Sequence, residues 1–152
     1  MKVFRILVAI VVLALVGKAS AQTLTNLYSF IGSPTDGKNP YAGLVQGRDG
    51  NFYGTTAYAG MSTNCFLGCG TVFRISPGGN YTNLYSFGGP PNDGSSPLGE
   101  LVQGSDGNFY GTTSNAYGSV FRISPGGDYT NLYLFGTPPR RWNVSISRAG
   151  AG

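Results

Sequence analysis

Histidine is missing from this chain of 152 residues, and acidic residues are scarce, since Asp and Glu together number 6. The absence of histidine excludes a Ser-His-Asp triad, a Cys-His nucleophile and any metal cluster that uses imidazole. Charged residues make up 11% of the chain and aromatic residues 13%, a balance that does not suit a solvated disordered tail. We therefore expect one folded domain of ordinary size.

The first 21 residues have the pattern of an export signal. Lys2 and Arg5 supply positive charge, an unbroken apolar run covers residues 6–16, and small residues lead up to Ala21. This pattern predicts cleavage between Ala21 and Gln22. The alternative is a membrane anchor, but a spanning helix needs about 20 apolar residues and this run is roughly half as long. The sequence thus predicts a secreted or extracytoplasmic protein with no transmembrane span after signal removal.

The basic isoelectric point near 9.2 depends on the two ends of the chain. Three basic residues leave with the signal, and three more lie within residues 140–148. The remaining basic residues are Lys38, Arg48, Arg74 and Arg122. Together with all six acids they give the region 22–136 a net charge of −2. No basic stripe is left to neutralise phosphates, which argues against a nucleic-acid partner.

An internal repeat dominates the chain. The sequence Asn-Leu-Tyr-Ser-Phe at 26–30 returns at 83–87 and, with Leu in place of Ser, at 131–135, so the offsets are 57 and 48 residues. The segment Asp-Gly-Asn-Phe-Tyr-Gly-Thr-Thr at 49–56 returns whole at 106–113. Two further segments, 44–47 and 72–79, return at 101–104 and 120–127. The nine-residue difference between the offsets falls between Thr56 and Gly70.

Each repeat predicts four short antiparallel strands, which in the first repeat cover residues 44–47, 52–56, 72–75 and 81–87. Asp-Gly and Pro-Gly dipeptides between them are typical of tight turns. Repeats of four strands and roughly 40–50 residues indicate propeller blades. We therefore predict an all-β fold of propeller-like blades at about 42–87 and 99–135. Residues 23–30 are predicted to be an orphan fourth strand from a split blade, so the propeller is incomplete.

The repeated string resembles the GloVer-type tandem repeats of exported bacterial proteins. The resemblance rests on Leu-Tyr-Ser-Phe, Gly-Leu-Val-Gln-Gly, Asp-Gly-Asn-Phe-Tyr-Gly-Thr-Thr and Thr-Val-Phe-Arg-Ile, and it covers about residues 24–136. It implies a long exported array that usually ends in a surface-anchoring segment. It carries no established catalytic residues, and this chain departs from the family in having barely two full repeats and no anchor.

The repeated turns are the first candidate site. Asp49, Gly50 and Asn51 correspond to the second set, which is Asp106, Gly107 and Asn108. Their side-chain oxygens are of the type that coordinates Ca²⁺, but that cation takes six to eight oxygen ligands and few acids lie nearby in sequence. Turn formation is the favoured interpretation, and it extends to the Asp-Gly pairs at 36–37 and 93–94. We predict no cofactor.

Cys65 and Cys69 both lie in the nine-residue insertion. For an exported chain we predict a disulfide between them, with a reactive thiol pair as the alternative. Zinc would need two further ligands that the chain does not supply as His or Cys. Two other candidates are weaker: the Thr pairs at 55–56 and 112–113 have no adjacent base, and Glu100 is the only Glu, so it cannot by itself form a glycosidase acid-base pair.

Three hypotheses about function remain. The first is a non-catalytic binding or structural module at the cell surface, with a glycan or protein partner. The second is a polysaccharide-acting lyase or hydrolase whose site this fragment does not reveal. The third is self-association, because two blades leave open sheet edges.

The loss of the repeat pattern in residues 137–152 predicts a change of reading frame near residues 139–141. The repeat ends at Gly136, and the offsets place the next Leu of the Leu-Val-Gln-Gly segment at position 149. Codons allowed for 148–152, such as CGG GCT GGT GCA GG, read Gly-Leu-Val-Gln-Gly when they are shifted by one base. We expect the nucleotide sequence downstream to encode further repeats in the shifted frame. An immediate stop codon there would contradict the prediction.

Overall fold

The computed structural model describes residues 24–32, 35–90, 93–115 and 118–136, and every regular element in these ranges is a β-strand. None of the described residues forms a helix long and apolar enough to span a membrane. Ten strands follow in chain order: β1 Gly37–Lys38, β2 Val45–Gln46, β3 Phe52–Thr56, β4 Tyr58–Ala59, β5 Thr71–Ile75, β6 Tyr81–Ser86, β7 Val102–Gln103, β8 Phe109–Thr113, β9 Ser119–Ile123 and β10 Tyr129–Leu134. The all-β prediction is confirmed. The predicted signal and the tail at 137–152 lie outside the described residues.

Two four-stranded antiparallel sheets correspond to the two repeats. The first unit has the strand order β2-β3-β5-β6, and the second unit has β7-β8-β9-β10. A third sheet joins β1 to β4, and a single bridge from Ser95 to Asn115 takes the same place in the second unit. None of these sheets closes on itself. The sequence therefore predicted the strands of both units to within one or two residues, because local turn chemistry sets their ends.

The two sheets also share their register. Gly54 lies opposite Phe73 in the first unit, and Gly111 lies opposite Phe121 in the second. A Cβ on Gly54 would lie 2.7 Å from the ring of Phe73, so a side chain at this position would push that ring away. Each unit has one irregularity between its third and fourth strands, at Leu84 and at Leu132. The repeat thus specifies backbone pairing and packing in both units.

Tight turns close the hairpins where Gly follows Asp or Gly. Gly50 has φ 81° and donates from its amide to the Gly47 carbonyl, at 2.9 Å. Gly79 has φ 85°, and a Cβ there would lie 2.7 Å from the Leu27 carbonyl oxygen. Residues with a side chain rarely adopt these left-handed angles, so glycine is required at both turns.

Residues 24–30 are not a strand, and that part of the sequence prediction is wrong. No described residue of this segment belongs to a strand ladder. Tyr28 nevertheless stacks on Tyr81 with ring centroids 4.3 Å apart, and Phe30 packs against Phe73 at 5.0 Å. The segment occupies the place of a fourth strand, but no third strand lies beside it among the described residues, so its backbone makes no ladder.

The core lies between the two units. Tyr53 stacks on Phe109 with centroids 3.9 Å apart, and Phe87 packs against Phe121 at 5.2 Å. Phe87, Phe109 and Phe121 are fully buried. Burial of aromatic rings is the largest apolar contribution available to such small sheets, so each unit depends on its neighbour for stability.

Replacement of Phe87 by alanine should destabilise the protein by about 3–5 kcal/mol, because it removes a fully buried ring between the units. Phe66 is fully exposed, and Phe66→Ala is the matched control with an expected change within about 0.5 kcal/mol. Urea unfolding followed by tyrosine fluorescence measures both values. Equal losses in the two variants would contradict a core shared between the units.

Candidate functional site

In each repeated turn, the Asp carboxylate accepts hydrogen bonds from neighbouring residues of the same unit. The Asn51 amide side chain donates to Asp49 Oδ2 at 2.7 Å, and the Tyr53 hydroxyl donates to the same oxygen at 2.8 Å. The Asn51 backbone amide donates to Asp49 Oδ1 at 3.2 Å. Burial opposes ionisation of Asp49, but the hydrogen bonds from Asn51 and Tyr53 outweigh it and lower the pKa of Asp49.

The second turn repeats this arrangement. Asp106 accepts hydrogen bonds from the Asn108 side chain at 2.7 Å and from the Tyr110 hydroxyl at 2.8 Å, and these bonds lower the pKa of Asp106. Gly107 supplies the left-handed residue, with φ 84°. Across the described ranges, no three His, Cys, Asp or Glu side chains group closely enough to hold a metal ion. Both turns use their carboxylates to orient a tyrosine.

Asp93 joins the two units. This side chain is 6% exposed, and its Oδ2 accepts hydrogen bonds from the Tyr85 hydroxyl at 2.8 Å and the Gly88 amide at 2.9 Å. Its Oδ1 accepts from the Tyr129 hydroxyl at 2.6 Å and from the Gly94 amide at 2.8 Å. One carboxylate therefore binds a tyrosine from each unit.

The two tyrosines that donate to Asp93 also stack on each other. The rings of Tyr85 and Tyr129 are 3.8 Å apart between centroids and inclined by 3°. Burial, followed by the hydrogen bond to Asp93, raises the pKa of both hydroxyls above its ordinary value. Both hydroxyls thus stay protonated and able to donate across the whole physiological pH range.

Asp36 is the N-terminal counterpart of Asp93. It is 2% exposed, and it accepts from the Ile31 amide at 2.8 Å and the Gly37 amide at 2.6 Å. Burial raises the pKa of Tyr81, and the charge of Asp36 raises it further. The sequence interpretation of the Asp-Gly pairs as turns missed this role. The missed signal is that Tyr28 precedes Asp36 by eight residues and Tyr85 precedes Asp93 by the same distance.

The insertion between Thr56 and Gly70 forms a compact loop. The sulfur atoms of Cys65 and Cys69 are bonded, and their Cα atoms are 5.2 Å apart. Cys69 is fully buried within the core between the units. The side chains of Ser62 and Asn64 both donate to the Gly88 carbonyl, at 3.0 and 2.8 Å. The disulfide thus closes the loop on itself, and the hydrogen bonds to Gly88 fix its base to the first unit.

The tip of the same loop is apolar and exposed. Phe66 is fully exposed, Met61 is 69% exposed and Leu67 is 56% exposed. A cleft of about 720 Å³ lies between this tip and the residues around β1. Its lining combines the rings of Tyr58 and Phe66 with the polar groups of Lys38, Asn39, Ser62 and Thr63. Small-ligand sites are commonly clefts of about 300–1,000 Å³ that combine apolar side chains with a few polar groups.

The remaining candidates from the sequence have structural partners or lie at the surface. Thr56 exchanges a hydrogen bond with Thr71 at 2.8 Å, and Thr113 does so with Ser119 at 2.9 Å. Arg48 donates from its guanidinium to the Ser105 carbonyl at 3.0 Å. Glu100 is exposed. The predicted cleavage site at Ala21 and Gln22 lies outside the described residues.

Asp93→Ala should cost about 1–3 kcal/mol for each tyrosine hydroxyl that is left buried without an acceptor. Asp128 is an exposed acid that bonds Ser124 alone, so Asp128→Ala is the matched control and should cost under about 1 kcal/mol. The free energy of unfolding in urea measures the difference. If both variants lose the same stability, Asp93 does not join the units.

Comparison with known proteins gives a family and no curated relative. Residues 15–148 match the model of the Gloeobacter/Verrucomicrobia repeat. The match extends beyond the repeated motifs at both ends. No curated protein matches the chain.

Proposed function

The chain belongs to the Gloeobacter/Verrucomicrobia repeat family, and from that premise we propose that it is an exported, non-catalytic surface module that binds glycan at its disulfide loop. In this proposal the two sheets are blades of an incomplete propeller, and the loop projects from the first blade. The export signal predicted for residues 1–21 supports the extracytoplasmic location.

One observation carries the proposal: a fully exposed Phe66 sits beside the 720 Å³ cleft on a loop that a disulfide holds. This loop is where the two otherwise matching units differ most in length. Repeated residues support stacking in both units, whereas the non-repeated ring of Phe66 is left in solvent among the described residues. The disulfide restrains the backbone that carries this ring, so less backbone freedom is lost when a ligand binds.

The composition of the cleft favours a saccharide. The rings of Tyr58 and Phe66 offer apolar faces, and Lys38, Asn39 and Thr63 offer donors and acceptors around them. Saccharides combine apolar C–H faces with many hydroxyl groups, so they match a lining of this kind. The low charge of the region 22–136 leaves little electrostatic selection for an ionic ligand.

A glycan array with the secreted protein tests this function. We expect a bound saccharide whose affinity falls roughly tenfold, or about 1.4 kcal/mol, in Phe66→Ala. Met61→Ala is the matched control, because Met61 is exposed on the same loop but does not line the cleft. An empty array, or equal binding by both variants, would contradict glycan binding at the loop. Release of new reducing ends from the bound saccharide would contradict the non-catalytic part.

A further inference from the structure

The second unit exposes an aromatic face that the first unit buries. Phe135 is 48% exposed, whereas its repeat counterpart Phe87 is fully buried. Tyr133 is 59% exposed, whereas its counterpart Tyr85 stacks on the second unit. Tyr133 and Phe135 contact each other edge to face at 4.9 Å, as Tyr85 and Phe87 do at 5.3 Å. The face beside β10 therefore repeats the ring arrangement that the first unit uses to contact the second unit. No described residue covers this face.

The first unit has the complementary face, which is exposed only around Leu44. Leu44 is 47% exposed, whereas its repeat counterpart Leu101 is 2% exposed. A groove of about 520 Å³ lies there, lined by Leu44, Phe73 and Ile75 on one side and by residues 24–28 on the other. Phe73 and Ile75 are 3% and 4% exposed, close to their fully buried counterparts Phe121 and Ile123 between the units. The first-unit face is thus covered within the chain except around Leu44.

Residues 24–30 provide that partial cover. They pack on Tyr81 and Phe73 through Tyr28 and Phe30, without a strand ladder. The same Asn-Leu-Tyr-x-Phe sequence recurs in and just after β10, where a full sheet supports it. Residues 24–30 and residues 131–135 share this pattern, so either segment can pack on the first-unit face. The second segment is already held in a sheet before it makes that contact, whereas the first is not.

We propose that the β10 face of one copy docks on the first-unit face of a second copy and displaces that copy's residues 24–30. Tyr133 then stacks on Tyr81 of the second copy, and Phe135 packs on Phe73. Tyr110 of the docking unit stacks on Phe52 of the second copy, as Tyr53 stacks on Phe109 between the units. The proposal goes beyond glycan binding and involves a different surface.

Such a contact joins unlike faces, so it forms a ring when the rotation closes and a filament when it does not. Propellers have about four to eight blades, and the described residues of each copy supply two units. We therefore expect closed assemblies of two to four copies.

Light scattering of the secreted protein over a range of concentrations tests the assembly. The unmodified chain should form species of two to four copies. The double variant Tyr133→Ala, Phe135→Ala should stay monomeric, and so should Leu44→Glu, which places a charge on the opposite face. Leu98→Ala is the control, since Leu98 is 47% exposed like Leu44 and Phe135 but lies in the connection between β6 and β7. A monomeric unmodified chain, or variants that assemble like the control, would overturn the proposal.

Mixing the two monomeric variants tests the head-to-tail geometry. One variant keeps its first-unit face, and the other keeps its β10 face, so an equimolar mixture should form a one-to-one heterodimer. The same result shows that both variants are folded. Absence of the heterodimer, or assembly of Leu44→Glu on its own, would refute the contact. Association by edge-to-edge strand pairing would not depend on these side chains, so in that case each variant would still assemble on its own.

Loss of the internal cover should strengthen the assembly. The double variant Tyr28→Ala, Phe30→Ala removes the rings that compete with Tyr133 and Phe135. We expect assembly at roughly tenfold lower protein concentration, because a larger fraction of chains presents a free first-unit face. Unchanged or weaker assembly would show that residues 24–30 do not compete for this face.

Discussion

The contact of Asp93 with Tyr85 and Tyr129 is the interaction on which the rest of the structure depends. Each unit is a single sheet of short strands, and a sheet of this size cannot bury its apolar side chains alone. The carboxylate fixes one tyrosine from each sheet at hydrogen-bond distance, and the two rings then stack. Desolvation makes this buried acid costly unless it is paired, and four donors on its two oxygens offset that cost.

Because neither sheet can bury its apolar side chains alone, repeated and non-repeated side chains have different roles. Repeated residues serve the contact between units, with Asp49 and Asp106 orienting one set of tyrosines and Asp93 another. The non-repeated loop held by Cys65 and Cys69 contributes a sulfur to the core and leaves an aromatic tip in solvent. The rings that pack between the units and the exposed tip of the loop are therefore different residues, although Cys69 links the base of the loop to the core.

Much of the fold could be predicted from sequence, because Gly50 and Gly79 need left-handed angles that fix where hairpins turn. The state of residues 24–30 could not, since a strand requires a partner and not merely a strand-like sequence. The role of Asp93 was equally hidden, because Tyr129 lies 36 residues further along the chain. The exposure of Phe66 depends on how the insertion folds over the first unit, and a spacing of two cysteines carries no such information.

The difference in length between the two units has a consequence for protein engineering. The strands on either side of the insertion keep the same pairing as in the second unit, where the connection from Thr113 to Ser119 is short. The exposed Phe66 and Leu67, between Cys65 and Cys69, are therefore a natural graft point: foreign segments can be displayed there while Cys69 stays in the core and β4 stays paired with β1.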